Sequence, residues 1–309
     1  MITILMATYN GATYLPAQID SLLEQTAPFD TLHIQDDCST DGTWAILEHY
    51  QSQYPDRIAI TRNEKNTGSP KHNFYSLMSR VRDDYIMLCD QDDVWMPEKM
   101  EKTLAKMREM EKQYGKSTPL LVHTDLCVVD ENLRVINPSF KAAMNVNYNR
   151  TKLNQTIIQN TLTGCTAMYN RALASLIGET PPQYMAMHDW WLILIASAFG
   201  HIGHINEATM LYRQHGSNEI GAKDVRTFHY KLKKLLNHQE IKESLAGTYR
   251  QAESFLTYHR NKLDTEQTHL LTEYIKIPQM GKLERWRAVR KLGTYKNGVA
   301  RNIAYFLFI

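Results

Sequence analysis

The chain has 309 residues, 43% hydrophobic and 22% charged, with a formal net charge of +2. That length builds a full core and allows one large domain or a domain with an appendage. So small a net charge gives no general attraction to nucleic acid, and no such partner is expected.

The four cysteines (Cys38, Cys89, Cys127, Cys165) lie far apart with no C-x-x-C pair, and read as reduced thiols in a reducing compartment. The opening MITILMATYN has no basic n-region and its apolar stretch breaks at Thr8, unlike a secretory signal. No window reaches the ~18 uninterrupted apolar residues of a spanning helix. A cytoplasmic protein is expected.

In chain order, Ile2–Met6 reads as a strand, followed by a helix with Leu15, Ile19, Leu22 and Leu23 on one face. Thr31–Gln35 is a second strand, and Ser39-Thr40-Asp41-Gly42 a turn and helix start with Trp44, Ile46 and Leu47 inside. Arg57–Thr61 is a third strand, Phe74–Met78 lies on a third helix, and Tyr85–Cys89 is a fourth strand. This alternation predicts an α/β fold with a parallel, doubly wound sheet. In such sheets a ligand binds beyond the carboxyl ends of the strands.

A charged helix over 98–114 and a strand at Leu120–Val129 follow. Residues 137–160 are polar and unassigned. Gly164–Tyr169 reads as a strand, Arg171–Ile177 and Trp190–Phe199 as helices, and Ala208–Tyr212 as a late strand. From about Ala222 strand signals stop and helical spacing takes over, which puts a boundary near 216–222. Residues 1–218 are then one domain and 219–309 a C-terminal helical region. Residues 282–301 hold seven basic side chains against Glu284 alone, and the chain ends apolar and aromatic. Such a tail suits the anionic inner face of the plasma membrane, or else packs as a helical arm with a solvated basic face.

Six short stretches carry chemistry. In IMLCDQDDVWMP, Asp90, Asp92 and Asp93 crowd the end of the fourth strand and repel one another. Close carboxylates at a strand end suit a hard divalent cation such as Mg²⁺ or Mn²⁺ bridging to phosphate. The bland alternative is an acidic turn capping the helix at Pro97. In IQDDCSTDGT, a carboxylate of Asp36 or Asp37 can accept the N–H of a pyrimidine, while Ser39 or Asp41 caps the next helix.

The main chain of ATYN (Ala7–Asn10) can hold a base edge. In the 63–73 stretch NEKNTGSPKHN, Gly68 allows close backbone approach and Lys71 can meet a phosphate. In MHDWWLIL, Asp189 is a helix cap or a general base, and Trp190 and Trp191 are core residues or stack on a sugar. In YRQHGSN, Arg213 and His215 pair with a diphosphate or stabilise a loop.

Taken together and in this order, ATYNG, DDCSTDGT, DQDDVW, the Gly-Cys of TGCTAMYNR, HDWW and YRQHGSN resemble the family 2 glycosyltransferases of the GT-A fold, over residues 1–215. DQDDVW with HDWW is similar to the bacterial rhamnosyltransferase-like branch that builds cell-wall and O-antigen polysaccharides, including the rhamnan-backbone rhamnosyltransferases of streptococci.

The resemblance implies a Rossmann-like, mostly parallel sheet flanked by helices, with 1–105 as the nucleotide-sugar half and 106–218 as the acceptor half. It implies a nucleotide-sugar site of Ala7, Tyr9, Asp36, Asp37, Gly68, Lys71, Asn73, Asp90, Gln91, Asp92 and Arg213. Lys71 is a loose match, standing where many relatives carry an arginine. It further implies Mn²⁺ or Mg²⁺ on Asp92, Asp93 and His215, an acceptor site of His188, Trp190 and Trp191, and Asp189 as the catalytic base of an inverting reaction.

The implied donor is dTDP-β-L-rhamnose, or a UDP-hexose on the same scaffold, and the implied acceptor a lipid-linked saccharide. The Q-x-x-R-W motif of processive relatives is missing, so short additions rather than a long polymer are expected. Rival readings are a glycoside hydrolase, which also uses two carboxylates, a nucleotidyltransferase, and an inactive carbohydrate-binding scaffold. A nucleotidyltransferase would carry a basic Gly-rich loop after the first strand, where ATYNGATYLP has no cation. Oligomeric state is left open.

Overall fold

A computed structural model describes residues 1–216 and 238–309. Ser217 and Asn218 of YRQHGSN, and nearly all of the boundary expected at 216–222, lie outside the described residues. The described chain forms two compact units. The first comprises residues 1–140, 162–181 and 200–216, and the second residues 141–161, 182–199 and 238–309.

The first unit is built on one sheet. Strands β1 (Ile2–Thr8), β2 (Thr31–Asp36), β3 (Ile58–Arg62) and β4 (Tyr85–Cys89) run parallel in the order β3-β2-β1-β4. Helices α1 (Leu15–Leu23), α2 (Thr43–Gln53) and α3 (Pro70–Arg80) connect them. β4 has parallel β1 on one side and antiparallel β8 (Ala167–Asn170) on the other. A strand so enclosed needs an unbroken apolar run, and Ile86, Met87, Leu88 and Cys89 are all fully buried.

Beyond β8 the order continues β6 (Leu120–Val129), β9 (His201–Arg213) and the two-residue β5 (Val94–Trp95), with β7 (Val135–Asn137) pairing on β6. This half is mixed, within a sheet that is mostly parallel as expected. β8 is antiparallel to both neighbours and β5 is antiparallel to β9, while β6 and β9 are parallel. All ten residues of β6 are buried. β9 begins at His201, well before the apolar run at Ala208, because pairing with β6 recruits the polar half-exposed stretch His201–Glu207. Helix α4 (Lys99–Tyr114) covers this half with Met100, Leu104, Met107 and Met110 inside.

The second unit is helical. The polar stretch at 137–160 supplies the short helices α5 (Phe140–Met144) and α6 (Leu153–Thr156). After the short α7 (Arg171–Ala174) of the first unit, the second continues with α8 (His188–Phe199), α9 (His238–Tyr258), α10 (Thr265–Lys276), α11 (Lys282–Leu292) and α12 (Val299–Phe308). The run Trp191–Ala196 is apolar all round and wholly buried, as a helix of that composition must be. α10 opens with a capping box, in which the Asp264 carboxylate accepts the Gln267 N–H and the Gln267 side chain accepts the Asp264 N–H. Among the described residues no helix is long and apolar enough to cross a membrane. The four cysteines are free thiols.

Candidate active site

The carboxyl ends of β1, β2 and β4 carry three loops that are tied to one another. Asp36 is fully buried at the end of β2. Its carboxylate accepts from the Ser39 hydroxyl at 2.5 Å, the Ser39 N–H at 3.0 Å and the Thr8 hydroxyl at 3.2 Å, and Arg62 pairs with it at 3.3 Å. Asp36 is thereby an anchor for its own loop. Asp37 turns the other way. Its carboxylate accepts from Asn63 Nδ2 at 2.6 Å, the Thr67 N–H at 2.9 Å and the Thr67 hydroxyl at 2.8 Å. It shapes the loop before α3, and a carboxylate with about four acceptor positions keeps little beyond that for a base.

Asn73 is buried and donates to the Gln35 carbonyl at 2.9 Å, while Gly68 is exposed with φ +71, a left-handed conformation that favours glycine. Lys71 is half-buried on the first turn of α3. Two further left-handed residues, Asn10 and Cys38, turn the loops after β1 and β2. Non-glycine residues held there are strained by about 1 kcal/mol or more, and such strain gathers at functional sites. Asn10 holds the two loops together, donating its N–H to Ser39 Oγ and accepting the Thr40 N–H on its side chain.

Gln91, in the middle of DQDD, fixes the first loop to the third. Its amide accepts the Tyr9 N–H and donates to the Tyr9 carbonyl, both at 2.9 Å. The main-chain groups of Tyr9 expected to hold a base are thus paired with Gln91, and Ala7 lies in the β1–β2 ladder. The approach leaves no room for a side chain at Gly11, where a Cβ would stand 2.2 Å from Gln91 Oε1.

The acidic cluster splits in two. One oxygen each of Asp90 and Asp93 lie with Cys165 Sγ within 4.8 Å of one another. Asp93 is fully buried; Oδ1 accepts the Arg213 N–H at 3.1 Å, while Oδ2 has no donor of hydrogen-bond geometry and has the Cys165 thiol as neighbour. Burial, with Asp92 and Asp90 beside it, pushes Asp93 well above the usual carboxylate range. Asp92 meets His215 instead, Oδ2 to Nε2 at 2.8 Å. Arg213 donates to the Asp92 carbonyl at 2.8 Å and the Glu131 carbonyl at 2.6 Å, and its guanidinium lies over the Tyr14 ring at 4.6 Å. The Tyr14 ring also faces His215 at 4.7 Å. β5 makes this assembly: pairing Val94 with Leu211 and Trp95 with Met210 brings the end of β9 onto the aspartates.

Beneath the cluster lies Lys99, with no exposed surface. It donates to the Cys165 carbonyl at 3.0 Å and stands 4.6 Å over the Trp95 ring. Burial pulls its pKa down to about 8. The donor set fits a hard divalent cation: a buried carboxylate oxygen without a donor stands beside a second carboxylate. The Cys165 thiol is pushed well above its usual range by burial and by Asp90 and Asp93, so it remains a neutral neighbour. The sequence reading missed Lys99 and Tyr14. Lys99 had a signal, since it shares the buried face of α4 with Thr103, Met107 and Met110. Tyr14 had none.

HDWW opens α8 in the second unit. Asp189 is half-buried and its Oδ1 accepts the Trp190 N–H at 2.6 Å. Trp190 is half-buried and donates from its indole to the Thr156 carbonyl at 2.7 Å. His188 and Trp191, two residues expected at an acceptor, are core residues of this unit. Trp191 is fully enclosed among Phe255, Tyr258 and His259, and burial lowers the His188 pKa to about 3.

Residues 3–177 match the family model described as glycosyl transferase family 2. The chain belongs to this family. It is 29% identical over 228 residues to the dTDP-rhamnosyl transferase RfbG of Shigella flexneri, covering 70% of this chain and 74% of that one. It is 28% identical over 216 residues to the putative teichuronic acid biosynthesis glycosyltransferase TuaG of Bacillus subtilis (strain 168), covering 69% and 79%.

Among solved structures it is similar to S. aureus TarS 1–349 in complex with UDP-GlcNAc, with a TM-score of 0.60 and 18% identity over 94% of this chain and 72% of that one. It is also similar to the mannosyltransferase PcManGT of Pyrobaculum calidifontis in complex with GDP-Man and Mn²⁺, with a TM-score of 0.53 and 17% identity over 94% and 84%. The fold is GT-A, and this family 2 member is a glycosyltransferase.

Proposed function

We propose that the chain transfers L-rhamnose from dTDP-β-L-rhamnose, with inversion, onto a lipid-linked saccharide in the synthesis of a bacterial surface polysaccharide. The observation that carries metal-dependent donor binding is the Asp90–Asp93 pair at the end of β4, whose carboxylate oxygens lie within 4.8 Å of each other and of Cys165 Sγ. The choice of rhamnose is supported by the similarity to a dTDP-rhamnosyl transferase.

In this reading Asp90 and Asp93, with Asp92 beside them, hold Mn²⁺ or Mg²⁺, and Asp36 and Asp37 form the floor under the nucleotide. When bound, the ion supplies Lewis acidity that draws charge from the departing nucleoside diphosphate. Gln91, Arg213 and His215 fix the loop that carries the aspartates. Lys71 and the nearby main chain of Gly68 face the phosphates, and Trp190 the acceptor. Asp189 takes the proton of the acceptor hydroxyl as it attacks the anomeric carbon, giving an α-L-rhamnoside. Every residue given a role in this reading lies within residues 1–218.

The test is titration calorimetry with dTDP and with UDP, each with and without Mn²⁺, followed by transfer assays with the matching sugar nucleotides. Mn²⁺-dependent binding of dTDP over UDP, and release of dTDP from dTDP-rhamnose, are expected. Preference for UDP would overturn the rhamnose assignment, and unchanged dTDP binding in a chelator would overturn the metal.

A further inference from the structure

The C-terminal helices of the second unit carry a surface that donor chemistry does not use. On α12, Val299, Ile303 and Leu307 recur every fourth residue and are 77%, 56% and 55% exposed, while Tyr305 on the same helix is buried. Residues so spaced form one stripe. On α11, Leu283 and Trp286 are exposed. Trp286 joins the two helices, donating from its indole to the Phe306 carbonyl at 2.9 Å and meeting that ring edge-on at 6.0 Å. Between them opens a groove of about 610 Å³ lined by Trp286, Tyr295, Val299, Ile303, Phe306 and Leu307.

Charge on the same helices is one-sided. Leu283, Trp286, Arg287 and Arg290 share a helix face by spacing. Lys282 lies over the Trp286 ring at 5.9 Å. Lys282, Arg287, Arg290 and Lys291 are exposed, and among the described residues no carboxylate lies within ion-pair distance of their head groups. Glu284, the one acid of the stretch, accepts the Gly281 N–H at 2.9 Å. Arg285 and Arg301 differ, since they donate to the Met280 and Met144 carbonyls and serve the fold.

We infer that this face is a docking surface for an anionic lipid bilayer, with Val299, Ile303, Leu307, Leu283 and Trp286 entering the headgroup region and Lys282, Arg287 and Arg290 meeting lipid phosphates. Exposed apolar side chains gathered in one stripe, rather than scattered singly, mark an interaction site. The cations beside the stripe select an anionic partner, and a tryptophan at the junction suits the polar–apolar boundary of a membrane. Among the described residues no helix is long and apolar enough to cross a membrane, and the inferred contact is with the bilayer surface. The inference is independent of donor and acceptor identity.

The experiment is co-flotation of the full chain with phosphatidylcholine vesicles with and without phosphatidylglycerol. The bound fraction should rise about tenfold with the anionic lipid and fall as salt is raised from ~0.1 M to ~1 M. The double variant Ile303→Asp, Leu307→Asp should lose about tenfold in binding with its circular dichroism and dTDP binding unchanged. The pair Arg287→Glu, Arg290→Glu should abolish the preference for anionic lipid and leaves the apolar stripe intact. Equal flotation with both vesicles, or of the Asp variant and the wild type, would overturn the inference. So would a wild-type dimer that the Asp variant splits while neither binds vesicles, because the stripe would then join two copies of the chain.

Discussion

Lys99 gives the sharpest quantitative test of the buried half of the site. Its ammonium is enclosed and its pKa is drawn from about 10.5 to about 8. At about 1.4 kcal/mol per tenfold change in proton affinity, that displacement corresponds to roughly 3 kcal/mol. Below pH 8 folded and unfolded chains are both protonated, and the folded chain bears the full cost of a buried charge. Between about pH 8 and 10.5 the folded chain has released the proton and the unfolded chain has not, so stability rises with pH. Above that window both are neutral and the cost is gone.

Lys99→Met keeps an apolar stem of similar length and removes the charge. The variant should be more stable than the wild type at pH 7 by up to about 3 kcal/mol, less about 1 kcal/mol for the hydrogen bond to the Cys165 carbonyl. By pH 10.5 that advantage should be lost. Urea unfolding of both proteins across this range measures the difference, and the fluorescence of Trp95, directly under the ammonium, follows the region concerned. Taking the difference cancels the tyrosines and thiols that titrate in the same window. A difference that stays constant with pH to within about 0.5 kcal/mol would refute the reasoning, because Lys99 would then titrate as an ordinary lysine.

Three further outcomes are expected. Asp93→Asn should keep the acceptor for the Arg213 N–H and fold normally, yet lose Mn²⁺-dependent dTDP binding and on the order of 10²–10³-fold in transfer; near-normal Mn²⁺ titration would remove Asp93 from the metal. Asp189→Asn should bind dTDP as the wild type does while transfer falls on the order of 10²–10⁴-fold, and near-normal turnover would end its assignment as base. Gly11→Ala should expel the Gln91 amide from its pairing with Tyr9 and cost about 1–2 kcal/mol in urea unfolding, with weaker donor binding; no change in either would mean that the loop adjusts freely.

The local pattern of the sequence determined the first half of the fold. Four short apolar runs alternating with amphipathic helices admit little other than a parallel sheet, and β4 falls on Tyr85–Cys89, where its buried neighbours require an unbroken apolar run. The motifs also lie at strand ends, where a parallel sheet binds its ligand, and the resemblance to family 2 glycosyltransferases joined the aspartates of DDC and DQDD into one site.

Only tertiary contact decided the rest. β5 is two residues long and the first half of β9 is polar, so neither stretch carries a strand signal, and both are strand because β9 and β6 supply the hydrogen bonds. That pairing sets Arg213 and His215 against Asp92 and Asp93 across more than a hundred residues of chain. The partition of Asp36 as anchor and Asp37 as loop organiser, the burial of Trp191, and the lysine beneath the acids have the same origin. Side chains of one type acquire different roles from what encloses them, and enclosure is a property of residues distant in sequence.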